Sequence, residues 1–238
     1  NRQSHHFKQV FRVAELLGYE GVGDSIHVEF GFMKLPEGAM STRKGNAISL
    51  DAVIDEAITR ARAVIKEKNP DLANADEVAR QIGLGAIKYF DLSHNRRSDI
   101  TFRWDDALSF EGNTGPYLQY THARLRSILR KAGQENLHPN FPSSRGGLAL
   151  DSLEHRLAVA VLRFPEAIED ALGDYSPHIL AQYLYRLADV ANEFYHAHPV
   201  LQEADPARRS FRLALVGAVA LTLKNGLYLL GIDAPEEM

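Results

Sequence analysis

Residues 109–124 have the sequence SFEGNTGPYLQYTHAR, and this stretch decides the architecture of the second half of the chain. Pro116 follows Gly115, and proline is favoured in the first turn of a helix, where its missing N–H costs no hydrogen bond. Apolar side chains then recur at helical spacing, at Leu118, Leu125, Ile128 and Leu129. The stretch therefore predicts a long helix that begins at about Thr114.

Further helices are predicted downstream of this one. Residues 133–150 are rich in Pro, Gly, Ser and Asn and indicate a long connector. Asp151 and Glu154 resemble a capping box at the start of the next helix, which Pro165 is expected to kink or interrupt. Two more helices are predicted over about 177–197 and 205–231, each with a wide apolar face. Four helical stretches with such connections indicate a helical bundle.

The first part of the chain mixes helices and short strands. Residues 7–18 predict a helix that ends at Gly18, a favoured residue just beyond a helix. Alternation of apolar and polar residues predicts a strand over 26–30 and another short strand over 100–104. Helices are predicted from Ser49 towards Asn69 and from about Asp76 to Phe90.

Composition limits the kinds of protein this chain can be. It has 238 residues, 45% of them hydrophobic, and no cysteine, so disulfides and Cys-ligated metal centres are excluded. The net charge of -4 means that any contact with nucleic acid depends on local basic patches. No apolar run reaches the roughly 18 residues of a membrane helix. Residues 1–6, NRQSHH, resemble neither an initiator sequence nor a signal peptide, so we expect a fragment of a longer protein.

A basic, polar loop between the predicted strand and the helix that begins near Ser49 is a candidate phosphate-binding element. Its residues 40–46, MSTRKGN, offer hydroxyl groups, backbone donors and two cations, which suit a triphosphate. A solvated surface loop is the alternative that composition alone favours. The chain contains neither a Walker loop nor a G-x-G-x-x-G motif, so neither of those nucleotide sites is supported.

The same loop resembles the KMSKS signature of class I aminoacyl-tRNA synthetases, in the variant of the arginyl-tRNA synthetases. Ala39 and Thr42 stand where the common signature has lysines, which leaves Arg43, Lys44 or a lysine elsewhere in the enzyme to neutralise the leaving pyrophosphate. Residues 85–92, 99–102, 109–124 and 229–238 are also similar to this family. The resemblance spans the whole chain.

The resemblance implies a mainly α chain: the C-terminal end of a class I Rossmann-type catalytic domain followed by an α-helical bundle that binds the anticodon. The expected division is 1–48 for the end of the catalytic domain, 49–112 for a connecting helical region that contacts the tRNA stem, and 113–238 for the bundle. The implied enzyme is a monomeric, cytoplasmic aminoacyl-tRNA ligase without a membrane segment. Its partners are L-arginine, ATP and tRNA(Arg), with Mg²⁺ accompanying ATP and no protein-bound metal. The His-Ile-Gly-His signature of the class is absent from this chain, so we expect it to be inactive alone.

The family also implies roles for single residues. Gln3 and His6 match positions that hold arginine and lie near ATP, and the catalytic signature is Met40, Ser41, Thr42, Arg43 and Lys44. Tyr117, Tyr120, Arg124, Tyr195 and Met238 match positions at the anticodon. Without the family, His5 and His6 form at best a weak metal pair. The tyrosines at 117 and 120 are equally compatible with a core position, and Tyr195 is more typical of one.

Tyr117, Tyr120 and Arg124 are spaced i, i+3 and i+7, so they share one helical face. Additional cations follow on nearby turns at Arg126, Arg130 and Lys131. A second basic cluster, at Arg208, Arg209 and Arg212, lies in the first turns of the last helix, and we expect Glu203 and Asp205 to neutralise it.

Two rival interpretations remain open. One is another class I synthetase with a similar helical domain, of the cysteinyl type; the match over residues 109–124 argues against it, and an amino-acid activation screen would decide. The other is a non-catalytic helical module that binds RNA or protein. A His-x-Gly-His signature encoded upstream in the gene would exclude that second interpretation.

Overall fold

The computed structural model describes residues 3–34, 36, 49–140 and 148–238. The predicted signature residues Met40, Ser41, Thr42, Arg43 and Lys44 therefore lie outside the described residues. The description below concerns the parts of the chain on either side of them.

The first half contains short strands, short helices and one hairpin of two longer helices. Its elements in chain order are α1 (Ser4–Leu16), a 3-10 turn (Val22–Asp24), β1 (Met33–Lys34), α2 (Leu50–Lys68), α3 (Ala75–Leu92), β2 (Ile100–Thr101) and α4 (Trp104–Ala107). Local sequence sets several boundaries. The Ser49 side chain accepts a hydrogen bond from the Ala52 N–H and caps α2, and Gly18 ends α1 in a left-handed conformation, with φ +79°. These predicted ends are confirmed.

The regular elements of the second half are all helices in its described residues. It contains α5 (Gly115–Gln134), α6 (Ser152–Leu162), α7 (Phe164–Gly173), α8 (Pro177–Ala197) and α9 (Pro206–Leu229). The capping box of Asp151 and Glu154 is present, and Pro165 marks the break between α6 and α7, as predicted. The helical bundle and the mainly α fold class are confirmed.

The predicted strand over 26–30 is wrong. Pairing occurs later, at β1, where Met33 lies beside Ile100 in a parallel two-stranded ladder with β2. Apolar and polar residues do alternate over 26–30, but the apolar side chains are exposed to solvent. Ile26 is 56% exposed and Phe30 is 72% exposed. Alternation predicts an extended chain, whereas a strand also needs a partner, and no ladder includes 26–30 in the described part of the chain. The second predicted strand is shorter than expected, because Trp104 already begins α4.

The helices α2 and α3 pack face to face through small residues. Gly83 lies so close to α2 that a Cβ on it would stand 2.8 Å from the Ile58 backbone nitrogen. Their shared core is formed by Ala61, Ile65, Leu72, Val78, Ala79 and Ile82. This hairpin reaches the bundle through α3, which packs on α5.

The bundle has α9 near its centre, in contact with α5, α6 and α8. Although the sequence has no uninterrupted apolar run of that length, α9 is long and apolar enough to cross a membrane by length and composition. In the structure 61% of its most apolar window is buried. The apolar composition of α9 is therefore explained by packing inside the bundle.

Candidate nucleic-acid interface

The first turn of α5 is fixed by its cap. The Thr114 hydroxyl accepts a hydrogen bond from the Tyr117 N–H at 3.2 Å and donates to the Ser109 carbonyl at 2.6 Å. Pro116 occupies the first turn. This cap sets where every later residue of α5 points, including Tyr120 and Arg124.

Arg124 lies between two aromatic rings that come from different helices. Its guanidinium carbon is 4.7 Å from the centroid of the Tyr120 ring on α5 and 4.9 Å from that of Tyr195 on α8. At these distances the cation is attracted by both rings. Each tyrosine is 38% exposed, so the three side chains form a surface rather than a core. We call Tyr120, Arg124 and Tyr195 the aromatic clamp.

Asn192 on α8 holds Arg124 of the clamp in place by hydrogen bonding. Its side-chain oxygen accepts a hydrogen bond from Arg124 Nη1 at 2.9 Å. Its amide nitrogen donates to the Tyr117 hydroxyl at 2.9 Å and to the Thr121 hydroxyl at 3.0 Å. Because every polar atom of the Asn192 amide is engaged, the position of Arg124 is tied to that of α8.

The two tyrosines of α5 have different environments. Tyr117 is half-buried beside the bundle core, with its ring 5.8 Å from that of Tyr185. Burial raises the pKa of the Tyr117 hydroxyl, and the hydrogen bond from Asn192 opposes that rise. Tyr120 instead turns its ring to solvent and to the edge of Phe110. The core position that the sequence left open thus applies in part to Tyr117 and not to Tyr120.

A cleft of about 740 Å³ opens beside the clamp. One wall is α5, and the other is the end of α8 with the residues that follow it. Three cations from α5 line the cleft: Arg124, Arg130 and Lys131. Tyr195, which composition alone placed in the core, lies at this cleft, and so does Met238. The carboxylate of Glu237 also lines the cleft and pairs with Arg130, so the cleft combines exposed aromatic rings with the charges of Arg124 and Lys131.

The last eight residues, 231–238, run along α5 as a strap held by side chains of one helical face. Gln119 donates to the Asp233 carbonyl at 2.8 Å, and the ring of the buried His122 lies 3.0 Å from the Pro235 carbonyl. Arg126 pairs with the Glu236 carboxylate, while Arg130 donates to the Glu236 carbonyl and pairs with Glu237. The charges of Arg126 and Arg130 are thus shared with the strap, which weakens their predicted contribution to a free basic patch.

The strap ends at the cleft. Asn69, at the end of α2, donates from its side chain to the Met238 carbonyl at 3.2 Å, and both residues line the cleft. The Met238 side chain packs on the core shared by α2 and α3. The cleft is therefore bounded by elements from both halves of the chain.

The second basic cluster is neutralised inside the protein, as expected, but chiefly by Glu154, which the sequence indicated only as a capping residue. Arg212 donates to Glu154 at 2.7 Å and to Glu203 at 2.7 Å, and Arg208 donates to Glu154 at 2.8 Å. Glu154 is completely buried. The expected partner Asp205 instead caps α9 through the Ala207 N–H. These arginines are structural and do not form a phosphate site.

The same region brings Asp151, Glu154 and His198 close enough to offer ligand atoms to a metal ion. Both oxygens of the Glu154 carboxylate already accept hydrogen bonds from arginines. A metal ion here would stand next to the Arg212 guanidinium, and the two positive charges would repel each other. The cluster is better explained as a buried ion network.

The predicted substrate-side residues lie on α1. Gln3 precedes the helix and accepts a hydrogen bond from the Phe7 N–H through its carbonyl, and its side chain is exposed. His6 is also exposed and borders a shallow apolar groove with Val10, Val13 and Leu17. The structure neither joins these residues to the aromatic clamp nor tests their predicted roles.

Sequence reasoning did not find Asn192 or Asn69. Neither asparagine belongs to a motif, because the partner of each lies far away in the sequence. Asn192 binds Arg124, 68 positions earlier, and Asn69 binds Met238, 169 positions later. The family resemblance pointed to Tyr195, but its pairing with Arg124 across two helices became visible only in the folded chain.

Comparison with known proteins agrees with both halves of this description. The family model described as DALR anticodon binding domain matches residues 118–238. The family model described as tRNA synthetases class I (R), catalytic domain, matches residues 1–104. The first match covers the bundle that carries the aromatic clamp.

Curated relatives and solved structures match along the full chain. An arginine–tRNA ligase of Clostridioides difficile is 43% identical over 238 residues, which is all of this chain and 41% of that protein. An arginine–tRNA ligase of Enterococcus faecalis is 44% identical over 240 residues, again all of this chain and 41% of that protein. The solved arginyl-tRNA synthetase of Thermus thermophilus superimposes with a TM-score of 0.87 at 41% identity, over all of this chain and 40% of that one.

The chain thus spans about 41% of the length of the curated relatives it matches. The two family models together match residues 1–104 and 118–238, and the solved relative superimposes over the whole chain. The chain therefore belongs to the arginyl-tRNA synthetase family, and its residues 118–238 belong to the DALR anticodon-binding domain family.

Proposed function

We propose that this chain is part of an enzyme that attaches L-arginine to tRNA(Arg), and that it supplies the signature loop and the anticodon-binding bundle. The names of its relatives and the two matching family models support this activity for the whole enzyme. ATP, as its Mg²⁺ complex, is the proposed second substrate. We further propose that the enzyme acts as a monomer in the cytoplasm.

One observation carries the proposal for the bundle: Arg124 is held between Tyr120 and Tyr195 at the edge of the 740 Å³ cleft. Proteins recognise single-stranded RNA loops by stacking unpaired bases on aromatic rings and by placing cations on the phosphates. An anticodon loop offers both groups close together. The clamp offers matching partners from two helices that Asn192 keeps in register.

We propose that the chain is divided into three units in sequence order. We propose residues 1–48 as the end of the catalytic domain, 49–112 as a connecting region near the tRNA stem, and 113–238 as the anticodon-binding domain. The separate core of α2 and α3 supports the middle unit. The predicted roles of Gln3 and His6 belong to the first unit.

The proposed reaction has two steps. A carboxylate oxygen of arginine attacks the α-phosphorus of ATP, which forms arginyl-adenylate and releases pyrophosphate. A hydroxyl of the terminal ribose of the tRNA then attacks the arginyl carbonyl carbon and releases AMP. Residues Arg43 and Lys44 of the signature loop would stabilise the charge that grows on the leaving pyrophosphate, without transferring a proton.

The test compares the 238-residue chain with the complete enzyme. The complete enzyme is expected to aminoacylate tRNA(Arg) with arginine and not with cysteine. The chain alone, which has no His-x-Gly-His signature, is expected to bind an RNA hairpin with the tRNA(Arg) anticodon loop but to give no ATP–pyrophosphate exchange. Failure of the complete enzyme to charge tRNA with arginine would overturn the proposal.

A further inference from the structure

Four of the described helices end with the same backbone motif, and one of them departs from the rest. At the ends of α1, α5, α7 and α9 the residue after the cap has a positive φ, and the following N–H returns to a carbonyl of the last turn. The residue with the positive φ is Gly18 after α1, Asn136 after α5 and Gly231 after α9. In α7 it is Tyr175, with φ +50°. A tyrosine in the left-handed region is strained and needs support from its surroundings.

That support comes from Arg96, in the loop after α3. Its Nε donates to the Tyr175 carbonyl at 3.0 Å, and its Nη2 donates to the Asp174 carbonyl at 3.2 Å. These carbonyls lie at the C-terminal end of α7, where the helix dipole attracts a cation. The Ser176 hydroxyl completes the turn by donating to the Asp174 carboxylate. The turn between α7 and α8 is therefore shaped around the Arg96 guanidinium.

Arg96 also holds a segment from the other half of the chain. Its Nη1 donates to the Glu29 carbonyl at 2.8 Å, and its own carbonyl accepts a hydrogen bond from the Gly31 N–H at 2.6 Å. The loop that carries Arg96 passes so close to Gly31 that a Cβ on Gly31 would stand 2.1 Å from the Ser98 carbonyl oxygen. One residue thus joins the segment 29–31 to the end of α7 in the bundle.

The segment 29–31 leads directly into β1, and β1 precedes the signature loop in the sequence. Asp99 continues the attachment, because its carboxylate accepts hydrogen bonds from the Phe32 N–H at 2.9 Å and from the Lys34 ammonium at 2.6 Å. Residues 32–34, which precede the signature loop in the sequence, are therefore attached to the loop that carries Arg96. Through Arg96 the segment 29–34 is also attached to the bundle.

We propose that Arg96 is a positioning residue that sets the placement of the catalytic segment 29–34 relative to the anticodon-binding bundle. The kinetic part of this inference rests on the proposed function. A tRNA bound by its anticodon on the bundle must present its other end to the catalytic part, so the angle between the two parts decides whether the terminal ribose reaches arginyl-adenylate. Small errors of placement at a reacting centre are costly.

Arginine is suited to this role where lysine is not. Its planar group carries five N–H donors in a fixed arrangement, and here three different nitrogens of the side chain reach three carbonyls. A lysine ammonium is a single point on a flexible stem and cannot span both sides of the junction in the same way. Arg96→Lys therefore tests geometry with the charge kept.

The first experiment measures placement without any enzymatic reaction. The chain has no cysteine, so spin labels can be attached to Glu20→Cys, before the junction, and Leu172→Cys, on the exposed side of α7. We expect a narrow distance distribution in the parent chain and a broadened, shifted one in Arg96→Ala and Arg96→Lys. Arg80→Ala serves as the control, because Arg80 is exposed and pairs with Glu77 on its own helix. An unchanged distribution in Arg96→Ala would overturn the proposal.

A second variant approaches the junction from the opposite side. Gly31→Ala keeps Arg96, but its methyl group would collide with the Ser98 carbonyl and push the segment 29–31 away from the loop that carries Arg96, so it is expected to broaden the same distribution. This variant keeps the test decisive if Arg96→Ala folds poorly, which its melting temperature would reveal. A parent-like distribution in a folded Gly31→Ala chain would also count against the proposal.

The kinetic readout uses the complete enzyme. Arg96→Ala is expected to lower kcat for aminoacylation by about tenfold or more, while affinity for an anticodon-arm hairpin stays within about twofold of the Arg80→Ala control. A parallel loss of hairpin affinity would indicate general unfolding and would contradict a positioning role. If the unmodified enzyme does not charge tRNA, the proposed function fails, whereas the distance measurement still decides the role of Arg96.

Discussion

The guanidinium of Arg124 and the ring of Tyr120 face each other at 4.7 Å although both side chains border solvent. An arginine at the surface usually samples many conformations, whereas the half-buried Arg124 is held by two rings and by Asn192. The arrangement reduces the conformational entropy that ordering these side chains on a bound RNA loop would otherwise cost. In the proposed function, the clamp is thus preorganised for an RNA loop.

Replacing Arg124 by lysine separates the shape of the cation from its charge. Arg124→Lys loses the planar group between the rings, so we expect the affinity for an anticodon-arm hairpin to fall by about 1 kcal/mol. The salt dependence should stay the same because one positive charge remains. Arg124→Gln should instead reduce the slope of log K against log salt by about one contact. Full affinity in Arg124→Lys, measured by fluorescence anisotropy over a salt series, would show that only the charge matters.

Removing the Glu154 side chain leaves a buried arginine without its main partner. Glu154→Ala is expected to lower the free energy of unfolding by about 3–5 kcal/mol, since Arg212 stays in the interior. The exposed pair of Arg156 and Glu193 provides the control, and Glu193→Ala should cost about 0–1 kcal/mol. Urea denaturation of both variants measures the difference. Equal losses would mean that the buried network contributes no more than a surface pair.

Acid should weaken the same network. Burial raises the pKa of Glu154, but the hydrogen bonds from Arg212 and the Asp151 N–H and the charge of Arg208 outweigh it, so the pKa lies below its usual 4.5. A lowered pKa in the folded state stabilises the protein above the unfolded pKa, and this stabilisation is lost as the pH falls through the folded pKa. The loss from this carboxyl group is therefore expected below about pH 4.5.

A second pH effect is expected at a higher pH, from His122. This ring is completely buried, and burial lowers its pKa below 6.5 even though the Pro235 carbonyl accepts its hydrogen bond. The unfolded chain therefore binds a proton first, so stability falls as the pH drops below about 6.5. His122→Asn can keep a donor towards Pro235 and should remove this dependence between pH 5 and 6.5.

The control for that measurement is His155→Asn, because His155 is exposed on α6. Melting temperatures of the two variants and the parent are compared at intervals over the same pH range. If His122→Asn keeps the acid sensitivity of the parent, the buried ring is not its source.

The signature loop gives a prediction about rate rather than binding. In the complete enzyme, Arg43→Ala or Lys44→Ala should lower the rate of arginine activation more than it weakens arginine binding, since the charge they face grows in the transition state. Loss of one such interaction is worth roughly 3–4 kcal/mol. Pre-steady-state formation of arginyl-adenylate measures the step. Near-normal turnover in both variants would show that another cation neutralises the pyrophosphate. Positions 39 and 42 have no lysine, so such a cation would have to come from elsewhere in the enzyme.

Helix boundaries were predictable from the sequence because their causes are local. A cap such as Thr114 or Asp151 bonds within its own turn, and Pro165 separates α6 from α7 by starting a new helix. The bundle followed from these boundaries and from the apolar faces between them. The family resemblance then indicated Tyr120 and Arg124 as residues near RNA.

Features that depend on distant parts of the chain were not predictable in the same way. The strand over 26–30 failed because pairing depends on residues near position 100, and the sequence pattern alone does not reveal the register. Glu154 was identified as a capping residue, and its second role as the partner of Arg212 depends on a contact 58 residues away. Tyr175 gave no local signal for a positive φ, since glycine or asparagine is the usual choice there.

The most direct test of the central claim measures binding of the tRNA(Arg) anticodon-arm hairpin to the 238-residue chain carrying Tyr120→Ala. A base stacked on this ring predicts a loss of about 1–3 kcal/mol in affinity. The melting temperature should change little, because the ring is 38% exposed. Tyr228→Ala, a control at a more exposed tyrosine on α9, should bind normally. A folded Tyr120→Ala chain that binds the hairpin as tightly as Tyr228→Ala would contradict the account.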